Sequence, residues 1–343
     1  MTPISQHAVA LSSLILCLLI VGLSLKILFT SIWVSSSRLR ELALSLSISL
    51  FTVLLIFSFG EGYFRLMVYQ SDFFGFTLTA ENWWQRYWKP VNSYQYRDAE
   101  FNLELIRSKN SVLVLGDSIA AGHGIKNASN RFPDLLAKQL GDSSIVLNAS
   151  ICGWSTSHEL TALKTHLTQF QPETVILSYF LNDIEGAATR VGIKKPEYIV
   201  LPSGFLGRLV SDSHLINYFY WRSYRALYPE LAKLYADYLN QVWQDARVRQ
   251  AHLQELREIF ELSTQDGRRF ILVIMPDLLQ LGQSKQLIEP VLNLFKSLKA
   301  QIIDMHLLVS EKTAGSYLVG SYDSHPNEDF HAILAGELVK SFR

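Results

Sequence analysis

A serine, a histidine and an aspartate stand in contexts that suit nucleophilic catalysis. Ser118 follows the apolar run Val112–Leu115 in a Gly-Asp-Ser turn, and small residues come after it. Asp323 and His325 lie two residues apart close to the C-terminal end of the sequence. Acyl transfer by a serine needs such a set: an attacking oxygen, a base for its proton, and a carboxylate that orients the base. The alternative is that Asp117 and Ser118 only cap the next helix.

Two further positions offer hydrogen-bond donors for the oxyanion that this chemistry creates. Gly153 lies in a loop after the run Ile145–Leu147, and Asn182 comes soon after Thr174–Tyr179. Short apolar runs bounded by turn residues are typical of buried strands. Because ligands bind at the carboxyl ends of parallel strands, we expect the Gly153 N–H and the Asn182 side chain to lie near Ser118.

Other residues compete for the same roles. Asp304 and His306 repeat the Asp-x-His spacing after another apolar run, but they lack the Pro-Asn that follows the first pair. His123 lies close to the serine in sequence; we expect it to line the pocket, and it is a second candidate for the base. Asp117 and Asp183 are interpreted as hydrogen-bonding groups behind the site, since no cluster of His and Asp has the spacing of metal ligands.

The elements that would position these residues alternate between strand and helix. Strands separated by helices favour a parallel sheet with helices on both faces. Residues 186–250 break this rhythm, because they are helical and rich in aromatic side chains. We interpret them as an insertion that forms a lid or a wall of the site. Besides the runs already named, the pattern predicts strands at Phe270–Met275 and Gln301–Asp304, and helices at His158–Phe170, Leu253–Leu262 and Glu328–Phe342.

Two apolar segments, residues 8–34 and 42–60, are each long enough to cross a bilayer as a helix. A signal peptide is the alternative for the first, but the segment is too long and lacks a basic start. The short stretch between them carries Arg38 and Arg40, which predicts that it is cytoplasmic. We therefore expect residues 1–66 to form a multi-pass anchor in the plasma (inner) membrane, with an extracytoplasmic domain, periplasmic or extracellular.

Residues 67–110 are predicted to be a linker or stalk between the anchor and the domain at 111–343. This stretch is rich in aromatic residues, among them Trp83, Trp84 and Trp88. Two interpretations are open: the tryptophans lie at the membrane interface, or they pack the domain against its own stalk.

Charge and cysteine content exclude some functional classes. The chain has 31 basic and 31 acidic residues in 343, so its net charge is zero. A nucleic-acid partner would require a basic excess, and we expect none. The two cysteines, Cys17 and Cys152, give neither a disulfide framework nor the spacing of a zinc site.

The polar blocks and their order resemble the SGNH (GDSL-type) hydrolases. They are Gly116–Ser118, then Gly153, then Asn182, then the C-terminal Asp-x-His pair, and the resemblance covers residues 111–343. It implies a flavodoxin-like three-layer α/β/α sandwich with about five parallel strands. It also implies that the Ser118 N–H completes the oxyanion hole and that no cofactor or metal takes part.

Two details refine this resemblance. The segment Glu61–Arg65 resembles bacterial membrane-anchored members. Most members place the aspartate three residues before the histidine, where this chain has Tyr322, whereas Asp323 lies only two before His325. Some membrane-linked members that act in polysaccharide acylation resemble the shorter spacing. A backbone carbonyl that orients the histidine, giving a dyad, is the alternative to a triad.

The sequence thus predicts a membrane-anchored serine esterase with Ser118 as nucleophile, His325 as base and Asp323 as its partner. An outward-facing domain at a membrane favours acyl esters of extracytoplasmic glycans, with O-acetyl as the expected group. The alternatives are an O-acyltransferase on the same glycans, a lipid esterase, and a non-catalytic subunit of a glycan-assembly system. The expected partners are the bilayer and the acylated glycan.

Overall fold

The structure, a computed structural model, divides into two compact units. The first contains the described residues up to Val68 together with Pro202–Tyr220, and the second contains Tyr69–Leu201 and Trp221–Arg343. The residues that the structure describes are 37–73, 75–197 and 199–343, with Gly22, Lys26 and Thr30.

A five-stranded parallel sheet forms the centre of the second unit. Its strand order is β2-β1-β3-β4-β5, the flavodoxin-like order in which β1 and β3 lie at the switch point. This confirms the predicted sheet. The strands are β1 Asn110–Gly116, β2 Ser144–Ser150, β3 Thr174–Tyr179, β4 Arg269–Ile274 and β5 Gln301–Asp304, and a separate antiparallel pair consists of β6 Leu318–Gly320 and β7 Asp323–Pro326.

Helices connect and cover these strands. The predicted helices His158–Phe170 and Leu253–Leu262 lie within observed ones, the last helix ends at Lys340 rather than at Phe342 as predicted, and the predicted insertion 186–250 is helical over most of its length. The helices are α1 Ser37–Leu66, α2 Leu78–Tyr87, α3 Leu103–Ser108, α4 Ser118–Ala121, α5 Phe132–Leu140, α6 Thr156–Phe170, α7 Glu185–Arg190, α8 Gly204–Asp212, α9 His214–Leu227, α10 Pro229–Gln244, α11 Ala246–Thr264, α12 Leu281–Leu287, α13 Glu289–Ser297, α14 Glu311–Ala314 and α15 Glu328–Lys340.

The sheet is covered on both faces, which explains why β1 is a continuous apolar run. Its residues alternate between two separate hydrophobic clusters: Leu113 and Leu115 belong to one, and Val112 and Val114 to the other. All four side chains are at most 2% exposed. A strand with two buried faces loses the usual apolar–polar alternation, so β1 needs apolar side chains at every position.

Of the predicted linker or stalk, residues 67–110, all but the first two residues belong to the same compact unit as the sheet. Trp83 is 1% exposed, which agrees with the packing interpretation rather than the membrane one for this side chain. Arg97 is equally buried and donates to the carbonyl oxygen of Gly122 at 2.6 Å. Asp98 Oδ2 accepts the N–H of Asn148 at 2.8 Å and so satisfies a donor on the outer edge of β2.

Helix α1 contains the second predicted membrane segment, residues 42–60. It is the one helix among the described residues that is long and apolar enough to cross a membrane, and 6% of its most apolar stretch is buried. A core helix of a soluble protein would bury that stretch. The first predicted segment, residues 8–34, lies almost wholly outside the described residues. Arg38 and Arg40, which lie between the two predicted segments, belong to α1, in keeping with the helix preference of Arg, Leu and Glu.

We predict that Asp98→Asn removes a pH dependence of stability. Burial raises the pKa of the Asp98 carboxyl to about 6, whereas an unfolded aspartate titrates near ~4. The folded protein therefore binds more protons between these values, and the free energy of unfolding falls as pH rises through that window. Asparagine keeps an acceptor for the Asn148 N–H, so the variant gains stability over the natural chain above about pH 6, by up to ~3 kcal/mol.

Thermal melting of the full chain in detergent, from about pH 4 to about pH 8, measures this effect. Asp266→Asn is the control, because the Asp266 side chain is 79% exposed. A difference between Asp98→Asn and the natural chain that stays the same at every pH contradicts the prediction.

Candidate active site

The carboxyl end of β1 delivers Ser118 into the first turn of α4. Gly116 permits this tight turn: a Cβ there would lie 2.9 Å from the Cβ of Ala120 and 3.0 Å from the Cβ of Ser178. Contacts that short do not occur without a shift of the backbone, so a side chain at this position would displace the serine. The glycine of the Gly-Asp-Ser turn is therefore explained by the close approach of α4 to β3.

Ser118, His325 and Asp323 are joined by two hydrogen bonds. His325 Nε2 lies 2.9 Å from Ser118 Oγ, and His325 Nδ1 lies 2.6 Å from Asp323 Oδ1. Asp323 is 2% exposed and His325 is 7% exposed, so water has little access to the pair. The structure thus brings together the three residues that the sequence singled out.

The short spacing between Asp323 and His325 is explained by a local turn. Asp323 Oδ1 accepts both the backbone N–H of His325, at 3.1 Å, and its ring nitrogen Nδ1. An aspartate that binds the N–H two residues ahead makes an Asx-turn, and this turn holds the imidazole over the same oxygen. Both residues lie on the short strand β7, which is paired with β6.

The surroundings of Asp323 favour its ionised form. Burial alone would raise the pKa of this carboxyl, but the charge and hydrogen bond of His325 lower it, and His123 and Ser71 lower it further. The net pKa is well below the ordinary value. An ionised Asp323 accepts a proton-bearing Nδ1, which leaves Nε2 of His325 without a proton and able to accept from the Ser118 hydroxyl.

His123 packs directly behind the pair. Its ring stacks on that of His325 with centroids 4.2 Å apart, and its Nε2 lies 2.8 Å from the Asp72 carbonyl oxygen and 3.6 Å from Asp323 Oδ2. Since a carbonyl oxygen only accepts, Nε2 of His123 carries the proton. Burial and the charge of His325 lower the pKa of His123 to about 4, so it is neutral near pH 7. Its backbone N–H donates to the Ser118 carbonyl oxygen at 2.9 Å, but the ring nitrogen that hydrogen-bonds with Ser118 Oγ belongs to His325, so the structure favours His325 as the base.

The same three residues offer ligand atoms within 4.8 Å of one another: His123, Asp323 and His325. Among the described residues they form the one cluster close enough to share a metal ion. However, Asp323 Oδ1 already binds His325 Nδ1, and His123 Nε2 already binds a carbonyl oxygen. These hydrogen bonds account for the cluster without a metal.

The competing pair, Asp304 and His306, makes a similar string with another serine. His306 Nδ1 lies 2.8 Å from Asp304 Oδ1, and His306 Nε2 lies 3.0 Å from Ser284 Oγ. Ser284 is 2% exposed, and its hydroxyl also accepts the Asp277 N–H and lies 3.0 Å from the Leu281 carbonyl oxygen. A hydroxyl that backbone groups hold on two sides is a structural link between α12 and the end of β5, not a free nucleophile.

The two further donors predicted for the oxyanion, the Gly153 N–H and the Asn182 side chain, follow the strands that flank β1. Asn182 lies in a short 3-10 helix after β3, and it lines the same cavity as Ser118 and His325. Gly153 lies after β2 with φ +80°, a conformation that favours glycine. Both therefore stand at the carboxyl edge of the sheet, next to the strand that carries Ser118.

Buried carboxyl groups lie behind this edge, as predicted for two of them. Asp117 Oδ1 accepts the N–H of Ile119 at 2.9 Å and caps α4, and Asp183 Oδ2 accepts the N–H of Phe180 at 2.8 Å. Burial raises the pKa of both carboxyls, and the neighbouring Glu159 raises that of Asp183 further. Sequence reasoning missed Glu159, which is fully buried on α6; its place in an otherwise amphipathic helix gave no signal.

A cavity of about 280 Å³ opens over Ser118 within the second unit. Residues of the helical insertion form much of its wall, in line with the interpretation of that stretch as a wall. Its polar side holds the serine, the histidine and Asn182, and its remaining surface is largely apolar. The apolar lining includes Phe73, Phe76, Phe180, Ile199, Trp221, Tyr224, Tyr235, Leu239, Leu278, Leu279 and Leu287.

Comparisons with solved structures find proteins of low identity. They include the psychrotrophic esterase EstA from Pseudoalteromonas sp., 16% identical, with 68% of this chain and 97% of that chain covered and a TM-score of 0.42. A carbohydrate acetylesterase family member from Sinorhizobium meliloti is 15% identical, with 68% and 97% covered and a TM-score of 0.40. A lipolytic G-D-S-L protein from Veillonella parvula is 13% identical, with 68% and 97% covered and a TM-score of 0.43.

Comparison at the level of families gives a firmer result. A search among curated proteins finds no match. The model of the GDSL-like lipase/acylhydrolase family matches residues 114–333, which is more than half of the chain. The match begins within β1 and ends within α15, so it contains Ser118, Asn182 and His325. The chain therefore belongs to the GDSL-like lipase/acylhydrolase family and is a serine hydrolase that acts on ester bonds.

Proposed function

We propose that this chain cleaves acyl esters, O-acetyl esters first among them, on an extracytoplasmic glycan through an acyl-enzyme on Ser118. The observation that carries the proposal is the hydrogen-bonded string from Ser118 Oγ through His325 to Asp323. The extracytoplasmic location is supported by α1, whose first turn carries Arg38 and Arg40 and whose other end leads to the catalytic unit.

The proposed reaction has two balanced halves. Ser118 Oγ attacks the ester carbonyl carbon while its proton passes to His325 Nε2. Collapse of the tetrahedral intermediate breaks the carbon–oxygen bond to the sugar, and the sugar oxygen leaves with that proton. Water then attacks the acyl-serine by the same route, which releases the acid and restores the serine. Asp323 stabilises the imidazolium in both halves.

The oxyanion is proposed to bind the N–H groups of Ser118 and Gly153 and the side-chain amide of Asn182. Donors fixed in place before the reaction stabilise the developing charge without reorganisation. If a sugar hydroxyl takes the place of water in the second half, the same residues give an O-acyltransferase. The catalytic groups are identical in the two cases, and the acceptor that enters the cavity decides between them.

A lipid ester is a second candidate substrate, and the cavity wall is the observation that favours it. Beyond the polar side, the surface over Ser118 is built from aromatic and aliphatic side chains such as Trp221, Leu239 and Leu278. Removing apolar area from water contributes roughly 25 cal/mol per Å², so a long acyl chain would gain affinity there that an acetyl group does not.

The proposal predicts that the full chain in detergent releases acetate from an O-acetylated polysaccharide and that Ser118→Ala abolishes the release. A deacetylated polysaccharide added as acceptor separates transferase from esterase, because the label of a tritiated acetyl group moves to it only by transfer. Much faster turnover of a long-chain lipid ester than of the acetylated glycan would instead select the second candidate. Activity that survives in Ser118→Ala contradicts both.

We also predict that Asp323→Asn lowers kcat by about ten-thousandfold, the size of loss seen when a serine protease loses its triad carboxylate. The amide keeps an oxygen for the His325 N–H, but its NH₂ group favours the wrong tautomer of the imidazole. Initial rates on a soluble acetyl ester measure the effect, and the melting temperature checks the fold.

Asp304→Asn is the matched control, because Asp304 makes the same two contacts to its own histidine. We expect it to leave kcat within a few-fold of the natural value. A small loss for Asp323→Asn would mean that a backbone group orients His325, and a large loss only for Asp304→Asn would reassign the site to Ser284.

A further inference from the structure

We propose that α8 is an interfacial helix, which lies on the membrane surface and buries Phe205 and Leu206 among the lipids. The proposal concerns the first unit alone and does not depend on the reaction at Ser118. Phe205 is 77% exposed and Leu206 is 55% exposed. With Leu209 they form one apolar face of α8, at spacings i, i+1 and i+4, while Val210 is buried against the protein.

A cluster of hydrogen bonds fixes α8 to the end of the apolar helix α1. Arg65 Nη2 on α1 donates to the carbonyl oxygen of Asp212, the last residue of α8, at 3.1 Å. Glu61 accepts from Arg65, from Ser213 Oγ at 2.7 Å and from the N–H of His214 at 3.0 Å. The carboxylate of Glu61 therefore caps α9 and holds the α8–α9 corner against α1. This gives the Glu61–Arg65 motif a structural role.

The position of Glu61 and Arg65 along α1 places these hydrogen bonds at the height of the lipid headgroups. The 19 residues Leu42–Gly60 extend about 28 Å as a helix at ~1.5 Å per residue, close to the ~30 Å of a hydrocarbon core. Glu61 and Arg65 follow within about 8 Å, and the headgroup layer on each side is ~5–8 Å thick. Because Arg65 holds α8 there, the exposed face of α8 lies at the boundary of acyl chains and headgroups.

The chemistry of neighbouring exposed residues supports lipid rather than protein as the occupant. Tyr63, 59% exposed, stands at the same height on α1, where tyrosine is enriched in membrane proteins. Arg208, on α8 next to the apolar face, is exposed, and its guanidinium suits the phosphate groups of lipid headgroups. The apolar side chains of α1 are themselves exposed, with Val53 at 61%, so the apolar face of α8 continues a surface already suited to lipid.

Photocrosslinking of the full chain in nanodiscs of phosphatidylethanolamine and phosphatidylglycerol tests the proposal. Benzoylphenylalanine replaces Phe205 in one variant and Leu206 in a second, and lipid adducts are measured by mass spectrometry. Ser211, exposed on the opposite face of α8, gives the matched control. Val53, in the middle of the apolar helix, gives the positive control. Melting temperatures verify that each variant folds.

We expect strong lipid adducts at positions 53, 205 and 206, several-fold above the yield at position 211. Adducts at 53 without adducts at 205 and 206 would show that α1 is in the membrane and α8 is not, which overturns the proposal. Equal yields at 205 and 211 would overturn it as well, since the helix would have no membrane face. Absence of adducts at 53 would mean that α1 does not cross the hydrocarbon core. The depth assigned to α8 would then have no basis, which overturns the proposal too.

Discussion

The hydrogen bond between His325 Nε2 and Ser118 Oγ is the contact that the site depends on, and the two residues are 207 positions apart in the sequence. The serine is fixed by the end of β1 and the first turn of α4. The histidine is fixed by an Asx-turn on β7, which lies outside the parallel sheet. Each side is held locally, so the long-range contact needs only that β7 dock against the carboxyl edge of the sheet.

The Asp-x-His spacing works because one aspartate oxygen binds two groups of the same histidine. Asp323 Oδ1 accepts the backbone N–H and the ring Nδ1 of His325, and Asp304 Oδ1 does the same with His306. The spacing therefore orients an imidazole wherever it occurs in such a turn. Both serines line the cavity, but the Ser284 hydroxyl is also hydrogen-bonded to backbone groups of α12 and of the loop before it.

Much of this arrangement could be predicted from local sequence. The five strands of the sheet are short apolar runs with turn residues at their ends. The residues that follow three of these runs include the candidates Ser118, Gly153 and Asn182. The β6–β7 pair was missed because strands of three and four residues that contain Gly320 and Pro326 have no periodicity to detect. The stacking of His123 on His325 and the burial of Glu159 depend on tertiary packing. The local sequence around either residue would suit a surface position equally well.

The membrane part shows a different limit of sequence reasoning. Composition predicted the apolar stretch of α1, but not that both arginines belong to the same helix, Ser37–Leu66. It also gave no reason for Glu61, which the resemblance singled out and which the structure explains through its contacts with Arg65 and the start of α9. The role of this charged pair can be recognised only from its contacts with residues 202–220, which are distant in the sequence.

Covalent labelling of the full chain with a fluorophosphonate, followed by peptide mass spectrometry, shows whether Ser118 is the nucleophile. We expect a single phosphonylated residue, Ser118, whose labelling is lost in Ser118→Ala and strongly slowed in His325→Ala. A label on Ser284 would contradict the assignment of the nucleophile. A folded chain that takes no label would contradict the serine mechanism altogether and favour a non-catalytic subunit of a glycan-assembly system.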